Sequence, residues 1–142
     1  MSFRNPPPEE IRALLQRIRR IAVIGLSPNP ARPSHGVARA LQRYGYQIVP
    51  VRPAVDEVLG EKAWPDLRSV PGPVDLVDVF RAPEHVDQIV DDCIALHTPA
   101  LWLQEGVINA PAAERARQAG IMVVMDRCID KDYRALLSGA QA

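Results

Sequence analysis

Two cysteines, three histidines and no net charge mark this 142-residue chain, and each shortage closes off a class of function. Cys93 and Cys128 match no zinc-ligand spacing, and in a reducing compartment they read as free thiols. His35, His85 and His97 are scattered, so no metal site is expected. Lys and Arg together number 17, as do Asp and Glu, so the basic excess of a nucleic-acid-binding domain is missing. No apolar run approaches the roughly 20 residues that cross a bilayer. The opening MSFRNPPPEE has no apolar signal core. The expectation is a cytoplasmic protein with neither a nucleic-acid nor a membrane partner.

What is present is globular. Hydrophobic residues make up 47% and charged residues 24%, a balance that excludes wholesale disorder. The length suits one domain spanning 1–142, with a core that needs no metal or disulfide staple. The 14 prolines fall mostly between apolar runs, where they act as loop punctuation.

Residues 1–8 form an extended Pro-rich arm. In 9–20, Ile11, Leu14, Leu15 and Ile18 recur at helical spacing, with acidic residues first and basic ones last. Residues 21–24 are a continuous apolar run that stops at Gly25, as a strand buried on both faces would. Ser34 starts a second helix, with Val37, Ala38, Leu41 and Tyr44 on one face, and Gly45 ends it. Strands follow at 46–51, 75–80, 100–104 and 122–126, and helices at 83–97, 110–119 and about 130–137. The stretch 54–73 is irregular, with a helical turn at 55–59, a short strand at 62–64 and another turn at 67–70. No two-residue hairpin is expected. Strands alternating with helices predict an α/β fold, a single Rossmann-like doubly wound domain with a mainly parallel sheet of about five strands.

Such sheets bind ligands at the carboxyl ends of their strands. The first turn, Gly25-Leu26-Ser27-Pro28-Asn29-Pro30-Ala31-Arg32-Pro33-Ser34, stands where a dinucleotide fold has GxGxxG. It keeps the first glycine but has Ser27 and Pro30 in place of the other two. With Ser34 as N-cap, the amides of His35, Gly36 and Val37 face outward, and together with Arg32 they suit a diphosphate; the alternative is a Pro-rich connection with an ordinary Ser cap. After the second strand, Arg52 replaces the acidic residue of an NAD site. It fits a phosphorylated ribose, as in NADP or coenzyme A (CoA), or is a solvated surface arginine. Phe80 and Trp102 lie near adjacent strand ends; Trp102 reads as core, whereas Phe80 is the better surface for a flat ligand group. His35 is read as a donor or a solvated residue, not as a phosphoryl carrier.

The segments IAVIGLSPNPARPSHGVARALQRYGYQIVPV (21–51), EVLGEKAW (57–64), DLVDVFRAPE (75–84), LWLQEGVIN (101–109) and VVMDRC (123–128) resemble the small stand-alone CoA-binding proteins. These are similar to the N-terminal CoA-binding domain of the succinyl-CoA synthetase α subunit. The family's Val-Asn-Pro after strand two is Val-Arg-Pro here, at 51–53. The resemblance implies that Gly25 and Ser27 line a diphosphate turn and that Arg32 and Ser34 bind phosphate. It also implies that Pro53 shapes the adenine side, that Phe80 and Arg81 lie over base or ribose, and that Gln104 meets the pantetheine arm. Cys128 follows the last strand beside Arg127, before a short helix whose N-terminus would lower its thiol pKa, so it is a candidate for a mixed disulfide with bound CoA; the alternative is a buried structural thiol. The ligase carries its phosphorylated histidine in a second domain, for which 142 residues leave no room. No Ser-His-Asp or paired-carboxylate constellation can be assembled. The expectation is a non-catalytic binder of CoA or an acyl-CoA. The alternatives are a minimal NADP-dependent oxidoreductase, with Tyr133 and Lys131 as its catalytic pair, and a CoA-binding subunit acting with a larger acyl-CoA ligase partner.

Overall fold

A computed structural model describes residues 3–138; the first two residues of the arm and 139–142 lie outside the described residues. Helix α1 (Pro8–Arg17) opens on a proline, whose missing N–H costs nothing in a first turn, and buries Ile11, Leu14 and Leu15. It ends before the expected 20 because Ile18 is extended (ψ 152°) and the next two amides are captured. Arg19 and Arg20 N–H both donate to Asp75 Oδ2, at 2.8 and 2.9 Å. That carboxylate fixes where β1 (Arg20–Ile24) begins.

Helix α2 (Pro33–Arg43) and strand β2 (Gln47–Val51) follow. The next segment departs from expectation. Residues 55–59 are not a helical turn: β3 (Glu57–Val58) and β4 (Glu61–Lys62) make an antiparallel hairpin. Its two-residue turn has φ +54° at Leu59 and +79° at Gly60, the left-handed pair of a type I′ turn. The strand expected at 62–64 starts one residue earlier, and Trp64 makes a separate bridge to Val51. A 3₁₀ turn (Leu67–Ser69) then leads to β5 (Leu76–Val79). Helix α3 (Val86–Ala95), β6 (Ala100–Leu103), α4 (Ala110–Gln118), β7 (Met122–Met125) and α5 (Ile129–Tyr133) complete the order.

The main sheet is wholly parallel, in the order β2-β1-β5-β6-β7. Its strands are buried on both faces because alternate residues feed two cores. Ala22 and Ile24 pack with α3 and α4 through Val90, Cys93 and Ala113. Ile21 and Val23 pack with α1, α2 and α5 through Leu14, Leu41 and Ile129. Trp102 belongs to this second core, fully buried, with its indole N–H donating to Arg127 O at 2.7 Å. Each sheet edge is capped at its carboxyl end, which shortens the template for strand addition. Trp64 pairs with β2, its N–H donating to Pro50 O. The Asn5 side chain pairs with β7 as a peptide would, accepting from Met125 N–H and donating to Met125 O.

The chain runs from β1 outward to β2, then returns to place β5 on the other side of β1. The connections leave β1 and β5 in opposite directions, so a crevice opens between their carboxyl ends.

Candidate functional site

Gly25 stands at that crevice. Its N–H donates to Val51 O, and next to it Phe80 N–H donates to Ile24 O, both at 2.9 Å. Its φ is +83°, and a Cβ there would lie 2.3 Å from the Phe80 carbonyl oxygen. Only glycine lets the turn leave β1 so close to β5.

The loop beyond is held by its own short side chains. Ser27 Oγ accepts from Asn29 N–H, Asn29 Oδ1 accepts from Ala31 N–H, and Ser34 Oγ accepts from Ser27 N–H, each at 3.0 Å. This corrects the reading of Ser34 as N-cap. Pro33 is the first helical residue and Arg32 the cap, without a side-chain capping bond. The amides of His35 and Gly36 turn back onto Arg32 O, at 3.1 and 3.5 Å, and Val37 lies a turn inside the helix. The first N–H of the helix is therefore that of Ser34, and the positive end of the helix dipole still faces the crevice.

Two adjoining cavities, of about 640 and 480 Å³, share Gly25, Arg52 and Phe80. Together they form one cleft, and each part is within the usual size of a ligand site. The larger is also lined by Ser27, Arg32, Ser34, Gln104 and Cys128. The smaller adds Pro53 and Arg81. All ten candidate residues thus meet along one cleft, although they come from five separate strand ends. Arg32 is exposed, and Arg52 is half-buried with Nη1 3.4 Å from Gly25 O. Arg81 lies 3.0 Å from the His85 ring. The acidic residue lining the cleft, Glu105, is paired with Lys131 at 3.1 Å. The cleft is therefore cationic and suited to a polyanion.

Cys128 is half-buried against the cleft, whereas Cys93 is fully buried and desolvation pushes its thiol up to about 12. The charge of Arg127, expected to activate Cys128, is engaged elsewhere: it forms a two-bond pair with Asp132, at 2.6 and 2.8 Å. The following helix, α5, is only five residues long. Among the described residues no cluster of three or more His, Cys, Asp or Glu could hold a metal. No helix among them is long and apolar enough to cross a membrane. His35 lines neither cavity.

Sequence reasoning missed three features of this cleft. Val37 and Val107 supply its apolar wall. Asp78, fully buried on β5, accepts from Gln104 Nε2 at 2.6 Å. Burial pushes its carboxyl up to about 7, and the Gln104 bond only partly offsets this. A carboxylate within the run DLVDVF was the visible signal.

The family model described as a CoA-binding domain matches residues 19–134, so the chain belongs to this family. It is 43% identical to the uncharacterized protein YneT of Bacillus subtilis, over 89% of this chain and 94% of that one. It is 36% identical to the α subunit of an ADP-forming acetate–CoA ligase II of Pyrococcus furiosus, over 53% of this chain but only 17% of the subunit. A hypothetical protein from Pyrococcus horikoshii superposes with a TM-score of 0.90 at 32% identity, covering 96% of this chain and 99% of that one.

Proposed function

We propose that the chain binds CoA, or an acyl-CoA, along the cleft between the ends of β1 and β5 as a non-catalytic module of the cytoplasm. The observation that carries this reading is the union of two cavities around Gly25, with Arg32, Arg52 and Arg81 along them. Three cations match a diphosphate and a ribose phosphate, and the apolar wall of the larger cavity matches an alkyl arm. Membership of the CoA-binding domain family supports the same ligand.

The oxidoreductase alternative has less support. Lys131 is paired with Glu105, and the Tyr133 ring stacks on Tyr44 at 3.8 Å instead of lining the cleft. The ligase-subunit reading retains one specific support, the identity with the acetate–CoA ligase subunit. Co-purification of a larger synthetase-like chain would favour it.

Calorimetric titration with CoA, dephospho-CoA and NAD tests the main reading. CoA is expected to bind at least about tenfold more tightly than NAD, with dephospho-CoA between; tenfold is about 1.4 kcal/mol, within reach of one charge-assisted phosphate contact. Equal affinity for CoA and NAD would overturn it.

A further inference from the structure

A parallel strand covered on both faces should be apolar throughout, yet β5 carries Asp78 at 0% exposure. Its neighbours in register are Val23 on β1 and Trp102 on β6, so water does not solvate the carboxylate. Oδ1 accepts from Gln104 Nε2 at 2.6 Å, while Oδ2 has no hydrogen-bond partner. Backbone pairing already joins β5 to β6, so the sheet does not need this side-chain bond to hold its order.

The bond does fix the Gln104 amide. Gln104 is 5% exposed and lines the larger cavity, at the strand end next to Cys128. A primary amide has one donor end and one acceptor end; Oδ1 accepts from the donor end, whether Asp78 is ionised or carries its proton on the unpartnered Oδ2. Asp78 therefore selects the nitrogen of Gln104 and leaves its carbonyl oxygen for the cleft. No group among the described residues donates to that oxygen.

We propose that Asp78 is a positioning residue. It locks the Gln104 amide with its carbonyl oxygen toward the cleft, which makes this inner part of the site selective for a ligand segment that presents an N–H or O–H donor. Resting on the CoA reading, the segment is the pantetheine arm, with its two secondary amides and a hydroxyl. The adenosine phosphates meet the arginines of the outer part and do not depend on Asp78.

The test compares the full chain with its Asp78→Leu and Asp78→Asn variants. Asparagine keeps an oxygen to accept from Gln104, whereas leucine does not. Calorimetry is run with CoA and with adenosine 3′,5′-bisphosphate, which lacks the arm. Asp78→Leu is expected to weaken CoA roughly five- to tenfold, the range for one hydrogen bond, and to leave the bisphosphate unchanged. Asp78→Asn should restore CoA binding. Equal weakening of both ligands, or of neither, overturns the proposal. If the leucine variant does not fold, Gln104→Leu is expected to show the same selective loss, and its absence counts equally against the idea. A ligand-free measurement separates this proposal from the CoA reading. The Gln104 side-chain amide protons should exchange slowly with solvent in the wild type and in Asp78→Asn. Fast exchange in the wild type overturns the lock whatever the ligand; slow exchange in a wild type that binds neither ligand supports the lock and overturns the CoA reading alone.

Discussion

Two carboxylates lie three residues apart, one just before β5 and one within it, and they do opposite things. Asp75, at the amino end of β5, accepts two backbone N–H groups through one oxygen and ties the start of β1 to its neighbour. Asp78 lies inside the sheet toward the carboxyl end, with one oxygen bonded to a cleft-lining side chain and the other unpartnered. The first is placed where a carboxylate strengthens the fold. The second is placed where it weakens the fold, because an unsatisfied buried oxygen opposes stability. The amino edge of the sheet is thus built for closure, and the carboxyl edge carries one unsatisfied carboxyl oxygen and several cations around an open cleft.

The largest expected effect concerns pH. An ordinary Asp titrates near about 3.9 in the unfolded chain, and burial moves Asp78 up to about 7 in the folded one. Between these values the native state holds a proton that the unfolded state has released, so stability falls as pH rises through this window. The loss is complete above the folded value and on the order of 4 kcal/mol. Urea unfolding of the wild type and Asp78→Asn should therefore diverge as pH rises from about 4 to 8, the variant gaining relative stability. Parallel curves would remove the distinction between the two carboxylates.

At the other end, Asp75→Ala should lower stability by roughly 1.5–3 kcal/mol, the range for one bond to a charged acceptor, because the two bonds share one oxygen and one of them is exposed. CoA affinity of the folded fraction should stay the same. A loss of affinity at constant stability would mean that the amino edge is no mere closure. Arg32→Ala should do the reverse, weakening CoA by roughly 1.5–3 kcal/mol with little change in thermal stability, since the side chain is exposed. Calorimetry and a thermal melt on the same sample check both halves. The smallest effect is kinetic. A thiol reagent should label half-buried Cys128 and spare buried Cys93, and CoA should slow the labelling. Labelling that ignores CoA would move the ligand away from the last strand.

Local patterns carried much of this molecule. The apolar runs ending at Gly25, Arg52 and Phe80 announced a parallel sheet, and their ends announced the cleft. Gly25 was legible because a glycine closing a buried strand has a backbone reason to be there. The hairpin was hidden because Leu59, not Asn or Asp, takes the first left-handed position of its turn. The cap of α2 moved two residues back, from Ser34 to Arg32, because Pro33 suits the first helical position and Ser34 points back to the loop instead. Asp78 was hidden for a deeper reason: its partner lies 26 residues away, just past the end of β6, and only the pairing of β5 with β6 brings them together.

The proposed CoA site lies at the carboxyl edge of the sheet and not at the amino edge. Backbone amide shifts recorded during a CoA titration test it most directly. The account predicts that the largest changes fall on Gly25, Ser27, Ser34, Arg52, Phe80, Gln104 and Cys128. Changes centred instead on Arg20, Gly72 and Asp75, at the opposite edge, would contradict it.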